Sequence, residues 1–296
     1  MSPAKSKTTP VEDLSTKAML VRLSCHGWGA RVRDGEVENE VSEKHQNEVN
    51  TGIYIKKLLK SDSLDAYWSA VREVVVIHKR MTLPWDIGTG LLPAALYWKY
   101  NELIEPLKTK AASCADKFAE EYAAERKGGF KTYRKLLGGL FNEEDYPESE
   151  RVRRKFEIRV RIRPIENPND FRVNLGRGHS DQIKNEMAES LRSEIQDMMK
   201  EPFHRLYDVV RKVNEKLSDA DSIFRDSLIE NVKELVEVLP DLNVTNDPEL
   251  TALIASVDKE LCSVADMKAL RKDKDYRKKV AKSAADILGK MKGYEA

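Results

Sequence analysis

From Ile183 to Leu217 an apolar residue recurs every three or four positions: Ile183, Met187, Leu191, Ile195, Met199, Phe203, Leu206, Val210, Val213 and Leu217. Only an α-helix brings side chains at that spacing onto one face. The pattern returns at Leu96, Tyr100, Leu103, Leu107, Ala111, Cys114, Phe118 and Tyr122, at Phe224, Leu228, Val232, Leu235 and Leu239, and at Leu250, Ile254, Val257 and Leu261. A chain carrying this much helical periodicity must build its core from packed helices and has little length left for a sandwich or barrel. Pro106 and Pro202 predict kinks, because an interior proline removes a backbone hydrogen bond and clashes with the preceding turn. Pro240 predicts a stop. Asp247 or Asn246 before Pro248 reads as a helix N-cap with proline at the first helical position. Residues 63–80 read as a further helix, with Ser63 as cap and Tyr67, Val71, Val74 and His78 on one stripe. A last, basic helix is predicted from about 263 to 292.

Strand signals are fewer. In Phe156–Pro164, Phe156, Ile158, Val160 and Ile162 alternate with Glu157, Arg159, Arg161 and Arg163, the period of a strand with one solvated face. Asn167–Asp170 is turn chemistry, and Phe171–Leu175 reads as the returning strand of a hairpin. Residues 18–32 read as a third strand, bending at Gly27 or Gly29. Acidic residues 36–48 read as a short exposed helix or an ordered loop. Thr82–Pro93, with two prolines and two glycines, reads as an interruption between helices. The expected fold class is therefore α+β and predominantly helical: a small antiparallel sheet packed on helices, followed by a long helical C-terminal half. The expected organisation is a flexible tail over 1–16, an α+β domain over 17–178 and a helical region over 179–296. The long, narrow stripe over 180–217 is expected to serve as the seam of a homo-oligomer, with an ordinary intramolecular helix hairpin as the alternative.

Composition narrows the function classes. The chain has 51 Lys and Arg against 50 Asp and Glu, a net charge of +1, so binding to a polyanion has to come from local segregation of charge. No run approaches the length of a membrane span, and residues 1–17 contain no apolar signal core. Cys25, Cys114 and Cys262 are widely separated and odd in number, which fits a reducing cytoplasm. No phosphate loop, zinc-ligand spacing or nucleophile elbow occurs. Gly88-Thr-Gly90 lacks the third glycine of a dinucleotide fingerprint and reads as a turn. Cys25 and His26 are adjacent on a strand and point to opposite faces, so they cannot pair as nucleophile and base. The reading is of a protein that is not an enzyme and carries no cofactor or metal.

Three basic clusters remain. Arg151, Arg153, Arg154, Lys155, Arg159, Arg161 and Arg163 crowd one segment, and arginines two residues apart on a strand stand about 6.6 Å apart, close to the phosphate repeat of a nucleic-acid strand. Arg126, Lys127, Lys131, Arg134 and Lys135 are interleaved with Phe130 and Tyr133, a combination suited to base stacking and charge neutralisation on single strands. The terminal segment carries Arg271, Lys272, Lys274, Arg277, Lys278, Lys279, Lys282, Lys290 and Lys292. Three uses stay open: a nucleic acid, an acidic protein surface, or no partner. In the last case the 151–155 run pairs with Glu143, Glu144, Asp145, Glu148 and Glu150, and the helix face is merely solvated.

A strand bearing Trp28, a helical middle, and Tyr146-Pro147 leading into Arg153-Arg-Lys-Phe-Glu-Ile-Arg-Val-Arg-Ile-Arg-Pro164 resemble an uncharacterised domain-of-unknown-function family of bacteriophages and mobile elements. The resemblance covers about residues 18–240. Members of that family accompany MoxR-type AAA+ ATPases and von Willebrand factor A-like proteins, often near recombination genes, and have no established catalytic residues. The resemblance implies a non-enzymatic cytoplasmic partner of an AAA+ ATPase in DNA metabolism. Direct binding of single-stranded nucleic acid in replication or recombination is the alternative, through Arg153, Arg154, Arg159, Arg161 and Arg163 and through Phe130, Lys131, Tyr133, Arg134 and Lys135.

Overall fold

The computed structural model describes residues 10–48, 51–170, 173, 177–219, 222–263 and 266–294. In chain order these form α1 (Pro10–Lys17), β1 (Ala18–His26), β2 (Arg31–Arg33), α2 (Gly35–His45), β3 (Ile55–Lys57), α3 (Asp62–Met81), β4 (Leu83–Asp86) and β5 (Thr89–Pro93). Then come α4 (Tyr97–Lys127), α5 (Lys131–Leu137), α6 (Ser149–Arg153) and β6 (Glu157–Arg163). The C-terminal half is helical: α7 (Arg177–Met198), α8 (Lys200–Ser218), α9 (Ser227–Leu242), α10 (Pro248–Val257), α11 (Met267–Lys272) and α12 (Lys274–Lys290). The fold is α+β and predominantly helical, with a four-stranded antiparallel sheet in the order β4-β5-β1-β6 and a two-stranded sheet, β2-β3. Two compact units share the chain. One comprises Met1–Arg22, Ile77–Asn101 and Val160–Ala296, the other Leu23–Val76 and Glu102–Arg159.

In the first unit, Thr82–Pro93 is not an interruption but a hairpin. β5 pairs with β4 on one side and with β1 on the other, from Ala18 opposite Pro93 to Arg22 opposite Thr89. Gly88 takes φ +70° in the turn, a conformation glycine adopts without a Cβ penalty. Pro84 is tolerated because β4 is an edge strand with a register shift at that point. The expected strand Phe171–Leu175 lies outside the described residues apart from Val173, which is not in a strand. Part of the expected flexible tail is helix α1, with Leu14 only 4% exposed.

The long stripe also divides. It breaks at Met199, and Pro202 falls in the first turn of α8, where its missing N–H has no partner to lose. Phe203, Leu206, Val210, Val213 and Leu217 are buried as α8 packs on α9 and α12, so this part of the stripe is used within the chain and is no seam for a second copy. α9 runs through Pro240 to Leu242 instead of stopping, the burial of Leu239 and Leu242 offsetting one lost hydrogen bond. Asp247 caps α10 as expected, accepting from the Glu249 and Leu250 amides at 2.8 and 3.1 Å. The terminal basic helix breaks at Asp273, whose carboxylate caps α12 by accepting from Asp275 and Tyr276.

Arg277 is not part of a basic surface. It is 8% exposed and lies over the Phe224 ring, 5.0 Å from its centroid. Its guanidinium donates to the carbonyls of Lys216 (2.7 Å), Leu217 (3.2 Å), Asp219 and Ser222 (3.0 Å), closing the C-terminal end of α8. A lysine cannot reproduce that planar fork. Arg277→Lys is expected to lower unfolding stability by about 2 kcal/mol, because buried carbonyls lose their donors; urea denaturation reads it.

In the second unit α3 and α4 meet through Tyr67, Ala70, Val71, Ala111 and Ala115. Ser61, not Ser63, caps α3, accepting from the Leu64 amide at 3.2 Å; Ser63 is buried and donates to Glu121. α4 is continuous through Pro106. The segment 18–32 is not one strand. β1 ends at His26, and β2 joins β3 in the separate ribbon. Gly27 is required at the exit, since a Cβ there would stand 2.8 Å from Cζ2 of Trp68 and 2.9 Å from Cε1 of Tyr67. A second cluster gathers Trp28, Phe118, Tyr122, Phe130, Tyr133 and Tyr146 with Leu58, Leu59 and Val152.

Lys56 is buried beside this core, its Nζ 2.8 Å from Asp34, 2.9 Å from Asp145 and donating to the Leu140 carbonyl at 3.2 Å. The hydrogen bond from Lys56 holds the Asp34 carboxyl below its ordinary 3.8. Burial pulls the Lys56 ammonium down, but its bonds to the two carboxylates outweigh that and leave it above 10.5. The lock therefore contributes fully between those two ordinary values. It weakens as pH falls through the lowered Asp34 pKa or rises through the raised Lys56 pKa. Lys56→Met is expected to cost about 3 kcal/mol near neutral pH by leaving two carboxylates unpaired, and the deficit relative to wild type shrinks as acid protonates Asp34. Thermal melts across the acid range check both.

Candidate nucleic-acid interface

Phe130 and Tyr133 do not stack on a ligand. They are 1% and 7% exposed, and both rings pack on Tyr146, at centroid distances of 4.8 and 5.5 Å. The interleaving arises because Phe130, at the N-cap of α5, Tyr133 and the half-buried Leu137 face the core, while Lys131, Arg134 and Lys135 lie on the exposed face of α5. Arg134 is committed: it pairs with Glu143 at 3.0 Å, donates to the Gly129 carbonyl and covers the Phe141 ring at 4.3 Å. Arg126 donates to the Tyr146 carbonyl and pairs with Glu148. Among the described residues, Lys131 and Lys135 have no carboxylate partner.

Of the acids expected to neutralise residues 151–155, Glu143 is engaged by Arg134, Asp145 by Lys56 and Glu148 by Arg126, while Glu144 and Glu150 form no ion pair among the described residues, with 151–155 or with any other base. Arg153 reaches Asp116 at 3.2 Å with both side chains 61% exposed, a pair worth little in water. Among the described residues, Arg151, Arg154 and Lys155 have no carboxylate within ion-pair distance. β6 alternates as predicted over its first half, with Ile158 and Val160 half-buried and Arg159, Arg161 and Arg163 exposed; Ile162 departs from the pattern at 47% exposed. Arg159 is held by Glu157 on the same strand face, Nε to Oε1 2.9 Å. Arg161 and Arg163 have no carboxylate partner among the described residues and belong to the first unit. The ladder is thus not one uniform row of free charges.

A groove of about 470 Å³ in the second unit adjoins the 151–155 run, lined by Cys25, His26, Gly27, Trp68, Arg154, Lys155 and Glu157. The end of β1 supplies Cys25 and His26, α3 supplies Trp68, and the turn between α6 and β6 supplies the two cations. Cys25 packs against the Tyr67 cluster, and burial pushes its thiol up, away from the reactive thiolate. His26 is exposed, and its carbonyl accepts from the Tyr67 hydroxyl. Trp68 and His26 escape sequence reasoning, because neither lies near a basic cluster in the chain. A larger cleft of about 680 Å³ in the first unit carries Asp86, Glu166 and Glu194 against Arg163 alone, a balance unsuited to a polyanion.

Among the described residues no group of three or more His, Cys, Asp or Glu side chains could hold a metal ion, and no helix is long and apolar enough to cross a membrane. Comparison with family models, curated proteins and solved structures returns no match. Phe130→Ala is expected to act on folding, lowering stability by about 3 kcal/mol, the cost of a cavity at a buried ring. A urea titration showing an unchanged midpoint would put that ring on the surface instead.

Proposed function

We propose that the chain is a non-enzymatic cytoplasmic protein that binds single-stranded nucleic acid, with Arg151, Arg154 and Lys155 of the second unit holding phosphates. One observation carries this reading. Arg154 and Lys155, which line the groove beside Trp68, have no carboxylate partner among the described residues, and neither has neighbouring Arg151, whereas the basic cluster at 126–135 keeps Lys131 and Lys135 unpaired but gives Arg126 and Arg134 to structural acids. Guanidinium and ammonium groups that need not break an internal pair release counterions at full advantage when a phosphate arrives.

A partnership with a MoxR-type AAA+ ATPase in phage or mobile-element DNA metabolism is the second reading. Its support is the resemblance of residues 18–240 together with exposed apolar side chains on and beside α2 and β3, where Val41, Ile53 and Ile55 are 48%, 68% and 57% exposed. Apolar side chains grouped on a surface suit a protein partner. Copurification with such an ATPase and a changed ATP turnover would support it, and neither would appear if these residues are only solvated.

Fluorescence anisotropy with a labelled single strand tests the first reading. The combined variant Arg151→Glu, Arg154→Glu, Lys155→Glu should bind more weakly, and its log-affinity against log-salt slope should be shallower by about 2, three phosphate contacts at about 0.7 each. Equal affinity and slope in wild type and variant would overturn the assignment.

A further inference from the structure

We infer that the groove between the end of β1, Trp68 and the 154–157 turn is a single-nucleotide subsite that takes an unpaired base against Trp68 and favours bases carrying an amino group. This inference rests on the nucleic-acid reading for the strand, but not for the groove itself. At about 470 Å³ the groove falls in the size range of small-ligand sites and holds one nucleotide, not a duplex. Its aromatic wall is set in advance. The Trp68 ring meets Tyr67 edge-on, 5.3 Å between centroids, and Gly27 lacks the Cβ that would collide with it. A ring already immobilised loses little entropy when a base stacks on it.

The polar groups divide by charge. Arg154 and Lys155 supply uncommitted cations for a phosphate. Glu157, on the same groove, would repel one. Both hydrogen bonds from Arg159 fall on Oε1 of Glu157, leaving Oε2 as an acceptor. An acceptor beside a stacking ring matches the exocyclic amino group of cytosine, adenine or guanine. Thymine and uracil present carbonyl oxygens flanking their one ring N–H, so a carboxylate meets like partial charge there. Glu157 thereby turns a charge that weakens phosphate binding into a means of choosing the base. The same chemistry could arrive on a strand or as a free nucleotide.

The test compares oligo-dC with oligo-dT of equal length by anisotropy, and cytidine with uridine 5′-monophosphate by calorimetry. Oligo-dC should bind about fivefold or more tightly than oligo-dT, the lower end of what one good base contact provides. Glu157→Ala should bring the two to near equality without weakening dT binding. Trp68→Ala should weaken dC binding about tenfold. Because Trp68 also packs in the interior, Glu157→Ala, on an exposed residue, keeps the test valid if Trp68→Ala fails to fold. Equal dC and dT binding that the triple charge reversal abolishes would overturn the subsite and leave the strand-binding function standing. Glu157-dependent preference for the cytidine nucleotide without any strand binding would uphold the subsite and overturn that function. Binding of neither would overturn both.

Discussion

The second unit depends on the burial of its aromatic rings. Trp28, Phe118, Tyr122, Phe130, Tyr133 and Tyr146 form one cluster, and two of its hydroxyls are tied to the backbone around it. Tyr146 donates to the Leu58 carbonyl at 2.7 Å and Tyr122 to the Pro147 carbonyl at 2.5 Å. Burial pushes the Tyr122 phenol up to about 12 and raises Tyr133 and Tyr146 as well, so these groups stay protonated near neutral pH. Phe130 enters the cluster with φ +56°, a left-handed conformation costing about 1 kcal/mol for a residue with a side chain. Burying the whole ring offsets that cost. Once these rings face inward, the cations between them in sequence have to face outward.

What those outward cations do depends on which acids the same folding brings near. Arg126 and Arg134 hold down the 143–148 loop, and Lys56 joins Asp145 to Asp34, the residue that caps α2 by accepting from the Val37 amide. Three of the five acids that precede 151–155 in sequence, Glu143, Asp145 and Glu148, are thus paired with bases outside that run. A protein of nearly zero net charge can in this way leave a few cations unneutralised at one place, and it is this local imbalance that a polyanion would meet.

Periodicity in the sequence located the faces of the elements well. The stripes of α3, α4, α8, α9 and α10, the alternation at the start of β6 and the Asp247 cap were all legible, because each depends on side chains within one element. The hairpin of β4 and β5 was hidden by Pro84 and Gly88, whose tolerance there comes from an edge position and a tight turn that only the sheet defines. The split at Met199 was hidden because the stripe keeps its spacing across the break. For the proposed site, residue type pointed to the charged run 151–155 and to two rings, Phe130 and Tyr133, that the fold buries. Phe130 and Tyr133 stand at the three-residue spacing of a buried helix face, whereas Trp68 reaches Arg154 and Lys155 only through the folding of α3 against the 154–157 turn.

Ultraviolet crosslinking of the intact protein to a single-stranded oligonucleotide, with the attached peptides mapped by mass spectrometry, addresses the central claim most directly. The account predicts adducts on the peptides carrying Trp68 and residues 151–157. Adducts confined to the terminal segment 270–292 or to Lys131 and Lys135, or no adducts at low salt, would contradict it.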